Sequence, residues 1–175
     1  MEGLDPATRR DRIEAGRAVL RRAAADDLAM FHAAMSDPVV MRYWSTPPHA
    51  DLVTTQDWLD GMIVADPAES DDFVIEVGGQ PAGKLGCWQL PELGYLLHPA
   101  FQGQGVASAA LAAFIAYMRE RRLPSLKADV DPRNVASLRL LERASFAVTG
   151  RANRTWLVNG KWCDSLYLEL ALNPS

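Results

Sequence analysis

Cysteine and histidine are scarce in this chain. Its 175 residues include two cysteines, Cys87 and Cys163, and three histidines, His32, His49 and His98. Two cysteines cannot build a disulfide framework or a zinc site with four cysteine ligands. The histidines are far apart and show none of the short spacings typical of metal ligands. We therefore expect no bound metal.

Long hydrophobic runs and an excess of positive charge are also missing. The most apolar stretch, residues 106–118, is shorter than the roughly 20 residues that a membrane-spanning helix needs. Residues 1–16 carry charges of both signs and no apolar run, so we expect no secretion signal. The 18 Lys and Arg against 22 Asp and Glu give a net charge of −4, which argues against dedicated binding of nucleic acid or of an anionic membrane. We expect a cytoplasmic protein that is a monomer or a homodimer.

The overall composition is that of an ordinary globular domain. Hydrophobic residues make up 49% of the chain and charged residues 23%, and no internal repeat or low-complexity segment interrupts it. A chain of this length fits one domain with one substantial core. We predict a polar N-terminal extension over residues 1–15 and a single domain over residues 16–175.

Hydrophobic periodicity and turn residues predict the order of the secondary-structure elements. Strands are predicted over 18–22, 73–77, 83–88, 92–97, 126–130, 146–148, 155–158 and 165–170. Helices are predicted from Asp26, from Thr54, over 105–122 and over 134–143, with an acidic loop over 66–72. This order predicts an α/β (α+β) fold, in which about four helices flank a mixed central β-sheet.

A glycine-rich turn between a predicted strand and a long helix is the most informative segment. The turn reads Gln-Gly-Gln-Gly-Val-Ala over 102–107. Small residues there let backbone N–H groups converge on an anion, and the first turn of the helix adds its dipole and unpaired donors. No acidic side chain follows before Glu120. The segment therefore predicts a phosphate-containing ligand.

Two common phosphate-binding motifs do not fit this turn. A P-loop needs a GxxxxGK[ST] pattern, and the turn has no lysine, which argues against hydrolysis of nucleoside triphosphates. A Rossmann fingerprint is approached by Gly103, Gly105 and Ser108. However, the surrounding chain lacks the repeated strand–helix units of that fold and the acidic residue expected after them.

The residues Gln102-x-x-Gly105-x-Ala107 match the Q/R-x-x-G-x-G/A pyrophosphate loop of the GNAT acyl-CoA N-acyltransferases. Residues 134–146 resemble the N-x-x-S…L-L-E-[KR]-x-G-F block of that family, with Ser145 where the family usually has glycine. Residues 37–44 and the Pro81-x-Gly83 pair resemble its ribosomal-protein N-acetyltransferase (RimJ/RimL-like) branch. The resemblance extends roughly over residues 19–172.

This resemblance implies acetyl-CoA as a cosubstrate, with no metal. The cosubstrate would lie between two splayed parallel strands, 92–97 and 126–130. Backbone N–H groups around Leu96 and Leu97 would hold the pantetheine arm and polarise the thioester carbonyl. Asn134 would either bind the pantetheine or cap the following helix. The pyrophosphate would be held by Gln102, Gly103, Gln104, Gly105, Val106 and Ala107.

The same resemblance suggests catalytic groups, each with a simpler alternative. An amine must lose its proton before or during the attack. Glu92, the first residue of a predicted strand, would act as the general base through a water molecule. The alternative is that Glu92 is only a charge at the end of a strand. The departing thiolate must gain a proton. The tyrosine that serves this in many relatives is replaced by Leu141. Ser137 is the remaining hydroxyl candidate, unless it is only a small helix residue or no acid is needed.

The sequence therefore predicts an N-acetyltransferase that moves an acetyl group from acetyl-CoA to a primary amine by direct attack. The acceptor would be a protein N-terminus or a small-molecule amine, with Tyr43 and Trp44 either walling its pocket or lying in the core. The alternative is a non-catalytic, regulatory CoA-binding module on the same fold. Release of CoA in the presence of amines distinguishes the two.

Overall fold

The computed structural model describes residues 4–173, which form one mixed sheet and four α-helices. The strands are β1 (Arg12–Ala15), β2 (Ala18–Arg21), β3 (Asp71–Val77), β4 (Gln80–Gln89), β5 (Glu92–Leu97), β6 (Ser125–Val130), β7 (Ala147–Val158) and β8 (Lys161–Ala171). The helices are α1 (Leu28–Met35), α2 (Leu52–Val64), α3 (Val106–Glu120) and α4 (Val135–Arg143). The predicted fold class is confirmed. Within residues 4–173, no helix has both the length and the hydrophobicity to cross a membrane.

The sheet is split at its centre. Its eight strands run in the order β1-β2-β3-β4-β5-β6-β8-β7, and β5 and β6 are parallel neighbours. Their register is limited to the Glu92–Lys127 pair, supported by a hydrogen bond from Lys127 N to Pro91 O of 3.0 Å. Within residues 4–173 the two strands have no further residues in register, so beyond this point they diverge and leave a gap. The splayed parallel strands implied by the resemblance are therefore present.

Hydrophobic clusters on both faces of the sheet hold β5 in place. One cluster contains side chains of α3 and α4, such as Phe114 and Leu141, and includes Leu93 of β5. The other contains side chains of α1 and α2 and includes Leu96 of β5. Successive side chains of a strand point to opposite faces, so β5 contributes to both clusters. The strand that borders the gap is consequently anchored from both sides.

The predicted N-terminal extension is wrong at its C-terminal end. Residues 12–15 form β1, which pairs with β2 in antiparallel register and buries Ile13 and Ala15. Four residues with two apolar side chains are too short to show a recognisable period, and only pairing with β2 makes them a strand. Residues 1–3 and 174–175 of the predicted ranges lie outside the described residues.

The predicted acidic loop also ends earlier than expected. β3 begins at Asp71, whose buried carboxylate pairs with Arg121 and with Arg22, the latter at 2.8 Å. Asp72 pairs with the buried Lys84 at 2.6 Å. These partners are distant in sequence, so the charge pattern alone could not reveal that both carboxylates are internal. Only the first part of the segment is a loop.

The ends of the helices lie close to the predicted ends, and one predicted helix cap is wrong. α2 begins at Leu52 because the side chain of Asp51 accepts a hydrogen bond of 2.8 Å from Thr54 N. The cap is therefore Asp51, three residues before the predicted cap at Thr54. At the end of α4, Ser145 adopts a left-handed backbone with φ of 72°. Glycine is favoured in that conformation, which explains why the related motif has glycine there. Serine occupies it here without loss of the turn.

Candidate active site

A cavity of about 1340 Å³ opens where β5 and β6 part. Its lining brings together residues from the N-terminal loop, the central strands and the start of α4. Among the lining residues are five predicted site residues, namely Tyr43, Trp44, Glu92, Asn134 and Ser137. The structure thus places the candidate catalytic and acceptor residues around one space.

Glu92 has the environment of a candidate base. It is the first residue of β5, half-buried, and lies in register with Lys127. Burial raises the pKa of Glu92, Lys127 opposes this shift and Asp129 adds to it. A raised pKa brings a carboxylate closer to the neutral range, where it accepts a proton more effectively than an ordinary surface glutamate.

Ser137 has a partner that the sequence did not indicate. It lies in the first turn of α4, and its hydroxyl forms a hydrogen bond with the hydroxyl of Tyr95 from β5. Both residues line the cavity, whereas Leu141, at the position where relatives have tyrosine, is fully buried in the core. The contact joins residues 42 positions apart, so no local pattern could have found it.

Asn134 caps α4. Its side-chain oxygen accepts a hydrogen bond of 3.2 Å from Ser137 N, which satisfies one of the donors left unpaired at the start of the helix. The residue also lines the cavity. The capping role is therefore present, and a pantetheine contact is compatible with it because an amide offers both oxygen and nitrogen.

Replacing Asn134 by alanine tests both roles at once. Loss of the cap is expected to lower the free energy of unfolding by about 1 kcal/mol, measured by urea denaturation. If the amide also holds the pantetheine, the Kd for CoA rises by about tenfold or less, the value of one hydrogen bond. Asp51→Ala is the matched control, because it removes the cap of α2. Unchanged CoA affinity in Asn134→Ala would leave only the capping role.

The glycine-rich turn is open to a ligand through its backbone. Gly103 and Gly105 have φ of 72° and 77°, and no described protein atom lies within 4 Å of the position that a Cβ would take on either residue. Gly105 is the N-cap of α3 and supplies no side-chain hydrogen bond, and the first turn of that helix has no acidic residue. The start of the helix therefore has no side-chain cap, and the space beside both glycines is free of other residues, which fits a diphosphate.

The two glutamines of the turn brace it internally. Gln102 Nε2 donates to Leu97 O at 3.0 Å, and Gln104 Nε2 donates to Ala100 O at 3.1 Å. Arg17 donates to the side-chain oxygen of Gln104 at 3.0 Å. The turn is thereby tied to the end of β5, and both glutamine side chains, although exposed, are engaged in hydrogen bonds within the protein.

The remaining predicted cosubstrate residues pack with their side chains in the core. Leu96 and Val106 are buried, and Leu97 and Ala107 are partly buried against hydrophobic clusters. They and the turn are not part of the cavity lining. Any contribution of these residues to a ligand must come from their backbone groups.

Tyr43 and Trp44 serve as wall residues in different ways. The Tyr43 ring lies 5.6 Å from the guanidinium of Arg133, which joins the N-terminal loop to the segment before α4 across the cavity. Trp44 packs against the α1–α2 hydrophobic cluster and also lines the cavity. Trp44 therefore both packs against the hydrophobic core and lines the cavity.

The two charged cavity residues of β6, Lys127 and Asp129, were not predicted from the sequence. Lys127 and Asp129 point from β6, and the indole Nε1 of Trp156 in β7 donates to Asp129 at 3.0 Å. Their strand periodicity was visible, but the pairing that brings β6 and β7 to this space is non-local. Among residues 4–173, no group of three or more His, Cys, Asp or Glu side chains could hold a metal ion.

Residues 17–147 match the family model of the acetyltransferase (GNAT) domain. The chain belongs to the GNAT acetyltransferase family. The predicted family and the predicted class of enzyme, an acetyltransferase, are confirmed.

Two relatives of this GNAT protein illustrate the range of the family. A Bacillus subtilis protein described as a probable N-acetyltransferase, YjcK, is 37% identical over 90 residues, which cover 51% of this chain and 49% of that protein. The chain thus matches about half the length of that relative. The L-methionine sulfoximine/L-methionine sulfone acetyltransferase of Pseudomonas paraeruginosa is 26% identical over 173 residues, which cover 90% of this chain and 96% of that protein.

A solved structure shares the GNAT fold over nearly the whole chain. RimL, the ribosomal L7/L12 α-N-protein acetyltransferase in complex with coenzyme A, has a TM-score of 0.80 at 20% identity. The match covers 91% of this chain and 97% of RimL. The predicted likeness to the ribosomal-protein branch is thus matched by a structural relative from that branch.

Proposed function

We propose that this GNAT protein transfers an acetyl group from acetyl-CoA to a primary amine by direct attack of the amine. The amine belongs to a protein N-terminus or to a small molecule. The observation that carries the proposal is the half-buried Glu92 at the divergence of β5 and β6, within a cavity that also contains Ser137. A base and a hydroxyl donor on one cavity are the groups that amide formation from a thioester requires.

The fit of acetyl-CoA rests on two features of this chain. The turn over 102–105 and the start of α3 present unpaired backbone donors for the diphosphate. The edge of β5 beyond Glu92 is left without a strand partner on the gap side, which suits pairing with the pantetheine amides. When bound, acetyl-CoA supplies the activated acetyl group as a thioester.

The protein's own groups then act at three atoms. Glu92 accepts the proton of the attacking amine through water, helped by its raised pKa. Backbone N–H groups around Leu96 and Leu97 stabilise the developing charge on the carbonyl oxygen. The Ser137 hydroxyl donates a hydrogen bond to the departing sulfur. Direct transfer needs no acyl-cysteine intermediate: Cys87 is fully buried, and Cys163, which lines the cavity, has no part in this route.

The charge of the cavity favours a cationic amine. Six carboxylates line it, those of Asp72, Glu92, Asp129, Asp131, Asp164 and Glu169, together with Lys84 and Lys127. Asp131 is paired with Arg133 at 2.7 Å. The second lysine of the lining, Lys84, is neutralised by Asp72 at 2.6 Å. Excess negative charge attracts an ammonium group before it loses its proton. The relatives named for methionine sulfoximine and for a ribosomal protein represent both proposed acceptor classes.

Release of CoA thiol from acetyl-CoA with a panel of amines tests the proposed function. The panel contains peptides with free N-terminal serine or alanine, amino acids such as methionine sulfoximine, and polyamines. We expect thiol release above the hydrolysis background with at least one class. Tight CoA binding without release with any amine would contradict the enzyme and favour the regulatory CoA-binding module.

A further inference from the structure

A pair of hydroxyl groups lines the same cavity as Glu92. Tyr95 comes from β5 and Ser137 from the first turn of α4, and their hydroxyls are hydrogen-bonded to each other. Within residues 4–173, the Tyr95 hydroxyl has no other hydrogen-bond partner. Its ring packs against the main hydrophobic cluster, so the hydroxyl is held at a defined place rather than moving freely.

We propose that Tyr95 is a positioning residue for the leaving group: its hydroxyl donates to Ser137 Oγ and so turns the Ser137 hydrogen toward the CoA sulfur. The inference rests on the proposed acetyl transfer. A serine hydroxyl has one hydrogen and can rotate, so an incoming hydrogen bond on its oxygen decides where that hydrogen points.

The direction of the bond follows from the acidity and surroundings of the two groups. A phenol, with a pKa near 10, is a stronger donor than an aliphatic alcohol. Burial raises the pKa of Tyr95, partly offset by the bond to Ser137, so the phenol keeps its proton at neutral pH. Asn134 engages the backbone N of Ser137 and leaves the hydroxyl available. Tyr95 is therefore the donor and Ser137 the relay toward the cavity.

Two further effects make Ser137 a better donor to sulfur. A hydroxyl that accepts a hydrogen bond becomes more polarised and donates more strongly. The first turn of α4 contains no acidic residue and carries the positive end of the helix dipole, which favours a developing thiolate. Both effects appear when the C–S bond breaks and are weak before it, so they act on the rate more than on binding.

The proposed step balances without any further reactant. The amine nitrogen forms the N–C bond and loses one proton to Glu92 through water. The C–S bond breaks, and its electron pair goes to sulfur, which Ser137 stabilises by a hydrogen bond. The sulfur takes a proton from solvent water, and Glu92 returns to solvent the proton that it took from nitrogen, so these two transfers cancel. An acceptor that arrives as an ammonium ion releases one further proton to solvent before the attack. Tyr95 keeps its own proton throughout.

A double-mutant cycle tests this role. Tyr95→Phe, Ser137→Ala and the double variant are compared with the wild type in kcat and in KM for acetyl-CoA. Each single change is expected to lower kcat about tenfold, the value of one hydrogen bond to a charged group, with KM changed less than about twofold. The double variant should be no slower than Ser137→Ala, because both changes break the same path. The proposal would be overturned if the loss of kcat in the double variant equalled the product of the two single losses. It would also be overturned if Tyr95→Phe kept the kcat of the wild type.

A change of leaving group distinguishes the positioning role from a purely structural one, because a structural defect would lower kcat equally with every acetyl donor. With an acetyl-CoA analogue that carries fluorine on the cysteamine arm rather than on the acetyl group, so that the departing thiol is more acidic, stabilisation of the sulfur matters less, and the loss in Tyr95→Phe should largely disappear. A loss that stays tenfold with this donor would overturn the proposal. Tyr117→Phe is the matched control: it removes a hydroxyl that donates to Asp71 at 2.9 Å, outside the cavity lining. It should lower the melting temperature and leave kcat unchanged.

Failure of this inference and failure of the proposed function give different results. Wild-type protein that releases CoA with an amine, together with an unaffected Tyr95→Phe variant, overturns the positioning role alone. Wild-type protein that releases no CoA with any amine overturns the acetyl transfer and the positioning role with it.

Discussion

Glu92→Gln is expected to lower kcat/KM about 100-fold at neutral pH, because the amide keeps the shape of the side chain but cannot accept a proton. CoA affinity should stay unchanged, since the change leaves the backbone of β5 and the glycine-rich turn intact. The measurement is CoA thiol release with the best amine of the panel, together with calorimetric titration of CoA. Wild-type kcat/KM in this variant would reduce Glu92 to a strand-end charge.

The pH profile separates a base from a simple charge. Glu92 works only when deprotonated, and burial raises its pKa above the ordinary value of 4.5. Wild-type kcat/KM should therefore fall as the pH drops through this raised pKa, and the fall should be absent in Glu92→Gln. At high pH the loss should shrink, because amines with a pKa of about 8 to about 10 are then already deprotonated.

Glu169→Gln is the matched control for this experiment. It removes a carboxylate from the same cavity, at a residue that also lies in register with Lys127. We expect this change to raise KM for cationic amines, because the cavity then attracts a positive charge less strongly. The fall of kcat/KM at low pH, which is the acidic limb of the profile, should remain. An equal loss of the limb in both variants would show that the limb reports total cavity charge rather than one base.

Gly105→Val is expected to abolish stabilisation by CoA. The residue has φ of 77°, which a branched side chain adopts only with strain, and its Cβ would enter the open space in front of the first turn of α3. In the wild type, CoA at 100 times its Kd should add about 2.7 kcal/mol to the free energy of unfolding. This corresponds to a rise in Tm of about 5–10 °C, measured by thermal unfolding with and without CoA.

A substitution at a second glycine serves as the control for the effect of backbone strain alone. Gly78 also has positive φ, 58°, and open surroundings, but it lies in the turn between β3 and β4. Gly78→Val should lower the Tm of the free protein to a similar extent and keep the full CoA shift. If Gly105→Val keeps that shift as well, the turn does not hold the diphosphate.

The sequence predicted the elements whose signals are local. Glu92–Leu97 was predicted with the bounds that β5 has in the structure, because an apolar run between turn residues is visible without any partner. The start of α3 at a glycine-rich turn was predicted for the same reason, since backbone conformation and small side chains are properties of neighbouring residues. The glycine-rich turn and the strand that carries Glu92 were thus predictable from local sequence.

Contacts between distant segments were decided only by the tertiary structure. The sequence could not show that β1 joins the sheet, that Asp71 lies buried between Arg22 and Arg121, or that Tyr95 meets Ser137. Each depends on strand register and helix packing, because a side chain finds its partner only after the core has brought the segments together. By itself, the sequence therefore determined the order of most elements, the glycine-rich turn before α3 and the candidate base. Which charges are internal, and which hydroxyl supports Ser137, follow from the packing of the sheet against its helices.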